Sequence, residues 1–410
     1  MGNDDLTGFF EKFLKKDTLF LDKKVLQSAY IPNEIKHRDI QINQVAHILA
    51  PALRGDKPSN LFIYGKTGTG KTLSIKHVSE KLLKVAKEKG TPLKIFYLNC
   101  KLKKIADTEY RLIAQLARLF GKAIPVTGLP TDEVYSTFFK VLDSEEQTVI
   151  LVLDEIDQLI KKAGDEAIYN LTRINSELKQ SQISIIGISN DLTFANNIDP
   201  RVKSSLSEEE LVFPPYNALQ IQDILKNRAE TAFKKDVIEE GVLAKCAAYA
   251  AREHGDARRA LELLRVSGEI AERTDKTKIS IENIDEAEDK IERDRILEVV
   301  ETQPKQFQAT LYAILLADTS AKRTKGQSLI FTGEVYELYK TVCDKTNLRP
   351  LTQRRVSDIL AEQDMLGIIN AKVISKGRFG RTREMSLAVP QSLKPKIRKI
   401  LEETLDLAIN

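Results

Sequence analysis

Cysteine and histidine are scarce in this 410-residue chain, and that scarcity removes whole classes of chemistry. Cys100, Cys246 and Cys343 lie far apart with no C-x-x-C pair, which argues against a disulfide framework or a thiolate zinc site and for a reducing compartment. The four histidines are scattered as well, so the usual transition-metal ligand sets are missing. No run approaches the roughly 18 apolar residues that a membrane span needs. The leading MGNDDLTGFF is acidic where a secretory leader would be basic, and Leu6 stands where a myristoylation motif takes Ser or Thr. A soluble cytoplasmic protein with no membrane partner is expected.

A large charge imbalance is missing too, since the formal net charge is only +4. The balance hides an asymmetry. From Arg295 to Asn410 there are 19 Lys and Arg against 13 Asp and Glu, so the basic excess lies in the last third.

What is present is a repeating pattern. LFIYG, KIFYLNC, TVILVLD, ISIIGIS and ELVF are five near-continuous apolar runs separated by helical spacing between Leu61 and Val212. Such runs predict parallel strands covered on both faces, hence an α/β domain with a five-stranded parallel sheet over residues 1–213. Pro214 and Pro215 stop the pattern, and residues 214–293 show only helical periodicity, a small helical domain. Residues 294–410 read as three or four short helices, near Ile296–Val300, Phe307–Leu316, Thr332–Thr346 and Thr352–Leu366. The alternating GIINAKVIS, the turn-like KGRFGRT and EMSLAV follow. That order is the winged-helix arrangement.

GKTGTGKT, from Gly65 to Thr72, follows an apolar strand and opens an amphipathic helix, the context that G-x-x-x-x-G-K-[ST] needs to hold a phosphate. The backbone N–H groups of Gly65, Lys66, Thr67, Gly68, Thr69, Gly70, Lys71 and Thr72 would converge on the anion, and the helix dipole would point at it. Lys71 would reach the β and γ oxygens and Thr72 would ligate Mg²⁺, so ATP or ADP with Mg²⁺ is expected. LVLDEID ends a second strand in two acids. Asp154 would complete the metal shell, and Glu155 would act as general base toward water. Asn190, at the end of the next strand, would orient the water or the γ-phosphate, or else simply starts a turn. DPRVKSSL and GDARRALELL place Arg201 and Arg258 near helix starts, where arginines either spread transition-state charge or sit as ordinary surface cations.

The basic C-terminal part fits a phosphate backbone. In Leu351 to Leu366 the residues Val356, Ile359 and Leu360 share a face that Arg354 and Arg355 avoid. Those arginines would enter a major groove, unless Arg354 is engaged by Asp358 four residues on. The hairpin tip would lay Lys376, Arg378, Arg381 and Arg383 along a minor groove, or leave them as a solvated turn.

On these motifs the chain resembles an AAA+ ATPase of the archaeal origin-recognition and cell-division-cycle initiator family, over nearly its whole length. The resemblance implies roles at the adenine pocket for Pro32, His37 and Arg38 in YIPNEIKHRDIQI. It makes Asn190 and Arg258 the nucleotide sensors and Arg201 an arginine finger. It also implies a DNA-touching insertion somewhere in Cys100 to Gly121, slow hydrolysis, binding of double-stranded DNA at replication origins, recruitment of the replicative helicase, and paralogous initiators as partners. If the ATPase part touches DNA through that insertion as well as the winged helix, one rigid protein would grip the duplex at two places and bend it. A nucleoid-associated location goes with that role. Two other functions fit the residues: an ADP-locked architectural or regulatory DNA-binding protein, and a clamp-loader-type or helicase-type ATPase.

Overall fold

In the computed structural model of the chain the described residues are 17–101, 108–125, 128–194, 198–206, 208–320, 323–324, 327–328, 330–375 and 381–407. They form two compact units, Met1–Ile284 and Asp285–Asn410. The division falls inside one unbroken helix, Ile281–Thr302, so no chain break marks residue 293 as an edge.

In the first unit the elements are α1 (Asp39–Leu49), β1 (Leu61–Tyr64), α2 (Lys71–Lys89), β2 (Leu93–Asn99), α3 (Glu109–Leu119), α4 (Thr131–Leu142) and β3 (Gln147–Asp154). Then come α5 (Ile156–Ala163), α6 (Glu166–Arg173), β4 (Ser181–Ser189), α7 (Pro200–Leu206) and β5 (Glu209–Val212). The five strands pair in the order β2-β3-β4-β1-β5, all parallel, as the apolar runs predict. Every residue of β3 is buried. Its alternate side chains enter two cores, Val149, Leu151 and Leu153 on one face and Ile150 and Val152 on the other, because successive strand residues point opposite ways. Each such buried aliphatic contributes about 1.5–3 kcal/mol.

Three helices follow, α8 (Ala218–Ala232), α9 (Val242–Arg252) and α10 (Ala257–Arg273). Asn217 opens α8 with a capping box to Gln220, and Asp256 caps α10 through the Arg258 and Arg259 N–H groups. The segment before α1 docks on this helical part. Phe20 stacks against Phe233 at 4.6 Å, and Leu19 N–H donates to Glu272 at 2.8 Å.

The second unit begins within α11 (Ile281–Thr302) and continues with α12 (Lys305–Ser320), the two-residue strands β6 (Arg323–Thr324) and β7 (Gln327–Ser328), β8 (Ile330–Phe331), α13 (Thr332–Lys345) and α14 (Gln353–Met365). The wing is β9 (Ile369–Ser375) paired antiparallel with β10 (Arg381–Leu387), with β8 added on the other side of β10. A last helix, α15 (Lys394–Thr404), buries Ile397 and Leu401 in the same core. Neither β8 nor α15 follows from the sequence reading. Among the described residues no helix is long and apolar enough to cross a membrane.

Candidate nucleotide site and nucleic-acid surface

The chain after β1 turns through Gly68 at φ 69° and Gly70 at φ 86°, conformations that cost an L side chain roughly 1–2 kcal/mol. Gly65 meets a different constraint, because a Cβ there would lie 2.4 Å from the Phe213 carbonyl oxygen. The turn delivers Lys71 to the first turn of α2 with 4% of its surface exposed. Its ammonium donates to the Gly65 and Lys66 carbonyls at 2.6 and 2.7 Å. Burial, reinforced by the charge of Arg258, pushes its pKa down to about 8, against the pull of Asp154, Asp256 and Asp157. Of the glycine loop, Gly68 to Thr72 line the cavity, whereas Gly65, Lys66 and Thr67 do not; Thr69 folds its hydroxyl onto the Lys66 carbonyl at 2.8 Å.

Lys71, Lys76 and Arg258 face one polar cavity together with Thr72, Asp154, Glu155 and Asn190. Three cations converging on a glycine loop fit a polyanion, which would relieve the repulsion felt by buried Lys71. Thr72 Oγ1 donates to Asp154 Oδ2 at 2.9 Å, and Glu155 N–H donates to Oδ1 at 3.0 Å. Burial pushes the Asp154 carboxyl up, and these donors pull it back. Adjacent hard oxygens from Thr72 and Asp154 suit Mg²⁺. Glu155 is held at φ 55° at the head of α5, its carboxylate 3.9 Å from the Lys101 ammonium.

A second, largely apolar chamber opens beside the first. Tyr30, Ile31, Pro32 and Ile35 wall it from the N-terminal segment; Ile224 and Arg228 of α8, with Ala257 and Leu261 of α10, wall it opposite. Gly68, Gly70, Thr72, Lys76 and Arg258 line both chambers, so the apolar and the polar space adjoin.

Of the three leader residues only Pro32 lines this chamber. Arg38 lies behind the glycine loop, 2% exposed, donating to the Thr69 and Pro214 carbonyls at 2.8 and 2.5 Å and stacking 3.8 Å from the Tyr216 ring. His37 turns away at φ 60° to meet Asp223 of α8 at 2.9 Å. Both tie the leader down from outside. Tyr97, Asn99, Lys76, Tyr216 and Asp256 escaped the sequence reading. For Asp256 the signal existed, an acid just before a helix in GDARRAL.

Residues 54–193 match the AAA domain, 222–289 the Cdc6 AAA+ ATPase-type lid domain, and 298–393 the CDC6 C-terminal winged helix domain. The chain is 53% identical over 393 residues to the ORC1-type DNA replication protein of Thermococcus onnurineus, covering 95% of this chain and 93% of that one. It is 52% identical over 385 residues to ORC1-type DNA replication protein 1 of Methanosarcina mazei, covering 94% and 91%. It also superimposes on the Aeropyrum pernix ORC1 protein in its complex with DNA, with a TM-score of 0.84, 44% identity and coverage of 96% and 99%.

The chain belongs to the archaeal ORC1-type family of DNA replication proteins.

In this ORC1-type chain Arg201 is not brought to the cavity. It is 71% exposed on α7, clamped by Asp199 at 3.1 and 2.9 Å and lying 5.1 Å from the Tyr169 ring. Of the Cys100–Gly121 segment, residues 102–107 lie outside the described residues. The rest is largely α3, which buries Leu112, Ile113 and Leu116 in the sheet core.

On the winged-helix unit Arg354 and Arg355 are exposed in the first turn of α14. The ion pair anticipated for Arg354 is made instead by Arg355, 4.0 Å from Asp358, because the i,i+3 spacing brings these two side chains together. Lys376 and Arg378 lie outside the described residues, and Arg381 opens β10 opposite Ser375. Arg383 is not at the tip. Half-buried in β10 opposite Val373, it donates to the Ser357 carbonyl of α14 and so ties wing to helix.

Proposed function

We propose that this protein is a nucleotide-switched, DNA-binding replication initiator. The reading rests on one observation: Lys71, Thr72, Asp154, Glu155, Asn190 and Arg258 converge on a single cavity in a chain 44% identical to a protein solved with DNA.

Lys71 and Arg258 hold the phosphates, and the chamber between the leader and α8 takes the adenine. Thr72 and Asp154 would hold Mg²⁺, which would supply charge neutralisation to the bound phosphates. Glu155 accepts a proton as water attacks the γ-phosphorus and the bond to the ADP oxygen breaks, while Asn190 aligns the water. Arg354 and Arg355 read or grip a major groove, and the wing follows the adjacent backbone. Contacts from the ATPase unit as well would bend the duplex. The nucleotide state then sets whether origin DNA is held and the replicative helicase recruited.

A second reading, an ADP-locked DNA-binding regulator, is favoured by the leader that walls the base chamber and is pinned at both ends, by Phe20 and by Arg38. Hydrolysis measured for the wild type and Glu155→Gln, with and without origin DNA and helicase, tests the proposal. A wild-type rate above the variant's supports the switch. Identical negligible rates leave the locked regulator.

A further inference from the structure

On the edge strand β2, Asn99 stands in register with Asp154 of β3. Tyr97 precedes it by two residues and shares its face. That offset is about 6.6 Å of strand rise, a span a tyrosine side chain covers. The Tyr97 hydroxyl donates to Oδ2 of Asp154, the oxygen that also accepts from Thr72 Oγ1 at 2.9 Å. Oδ1 accepts the Glu155 N–H at 3.0 Å. Three donors from three elements therefore fix the plane of this buried carboxylate. The Tyr97 ring is itself fixed, packed on the core beneath α2 with the Lys76 ammonium 4.6 Å from its centroid. The ring also lines the polar cavity.

We infer that Tyr97 is a positioning residue for the divalent cation: it aims the Asp154 carboxylate and sets how much Mg²⁺ the chain needs to retain nucleotide. Thr72 comes from the first turn of α2 and the Glu155 amide from the turn after β3. Tyr97 is the donor that comes from the sheet edge, so the hydroxyl adds a restraint that neither can replace. A carboxylate free to rotate offers its oxygens to the cation for only part of the time, and its charge is less well solvated by the protein. The inference rests on the nucleotide reading above.

The test uses the full-length chain with a fluorescent methylanthraniloyl derivative of ADP, titrated in EDTA and then across MgCl₂. Tyr97→Phe is expected to bind nucleotide in EDTA within about twofold of wild type while needing about tenfold more Mg²⁺ for half-maximal tightening, the scale of a hydrogen bond to a charged group. Hydrolysis at saturating Mg²⁺ should stay within about threefold, so that the Mg²⁺ requirement moves and kcat does not. In an Asp154→Ala background the Tyr97→Phe change should add nothing, because its effect passes through that carboxylate. An unmoved Mg²⁺ requirement, an equal loss in the Asp154→Ala background, or a fall of more than about 5 °C in unfolding temperature in EDTA would each overturn the inference. Wild-type protein that binds no nucleotide under any condition would instead refute the nucleotide site itself.

Discussion

Asp256 fills the space that a side chain on Gly68 would need: a Cβ at 68 would sit 1.7 Å from Asp256 Oδ1. The same carboxylate accepts the Arg258 N–H at 2.8 Å, and the Ala257 N–H donates to the Gly68 carbonyl at 3.3 Å. Phosphate loop and lid helix are therefore keyed together one residue away from the Ala257–Arg258 wall of the cavity.

Gly68→Ala should accordingly do more than strain a turn. Positive φ alone costs roughly 1–2 kcal/mol, and the clash adds displacement of α10 and Arg258. Calorimetric titration should show ADP affinity reduced at least about tenfold. Gly90→Ala is the control, with φ 70° and open space around it. It should lower the unfolding temperature slightly and leave ADP affinity unchanged.

Gly268 lies inside α10, where helix propensity alone favours alanine by about 0.8–1.0 kcal/mol. Packing reverses that preference. A Cβ there would lie 2.6 Å from Phe20 Cζ and 2.9 Å from Phe233 Cε1, the pair that anchors the leader over the base chamber. Gly268→Ala should destabilise the protein and, in stopped-flow displacement, release fluorescent ADP several-fold faster.

The glycine loop, the acids of LVLDEID and all five sheet strands were legible because each is a local pattern, contiguous in sequence and tied to one backbone requirement. Tyr97 was not. Its contact with Asp154 depends on the β2–β3 register, fixed by pairing between segments some fifty residues apart. Arg383 misled for the same reason: in sequence it extends a basic tip, but the β9–β10 register puts it within reach of the Ser357 carbonyl. Helix α15 went unseen although Pro395 in its first turn and the spacing of Ile397, Ile400 and Leu401 are ordinary start and face signals.

Asp143 gives a prediction with a definite pH sign. Its carboxylate accepts the N–H groups of Ser181, Gln180 and Lys179, at 2.9, 2.7 and 3.0 Å, and these hold its pKa below the usual aspartate value of 3.8. A depressed folded-state value means that the stabilisation is complete above about pH 4 and fades as pH falls through the folded pKa. Asp143→Asn should lower the unfolding temperature near neutrality. The gap between the two proteins should narrow progressively below pH 4 in thermal melts.

Arg355 and Arg383 should separate DNA affinity from folding. Arg355 is exposed, and its pair with Asp358 is a solvent-screened contact worth little. Arg355→Ala should leave the unfolding temperature unchanged and reduce the slope of log K against log salt by about 0.9, while Asp358→Ala should tighten binding. Arg383→Ala removes the donor to Ser357 and should lower the stability of the winged-helix unit before any salt slope is considered. Fluorescence anisotropy across a salt series, with thermal melts alongside, distinguishes the two.

Arg201 lies outside its own chain's cavity, held in the open by Asp199 and Tyr169. An arginine preorganised by a bidentate carboxylate but facing solvent suits a neighbour's phosphate better than its own. Arg201→Ala should therefore bind ADP like wild type and lose hydrolysis only when chains assemble. Mixing supplies the decisive measurement. Arg201→Ala retains an intact cavity and Glu155→Gln retains an intact arginine, so on origin DNA neither variant alone should reach the assembled wild-type rate, yet together they should recover hydrolysis through mixed pairs. No recovery at any mixing ratio, or an Arg201→Ala rate equal to wild type, would confine Arg201 to its contacts with Asp199 and Tyr169.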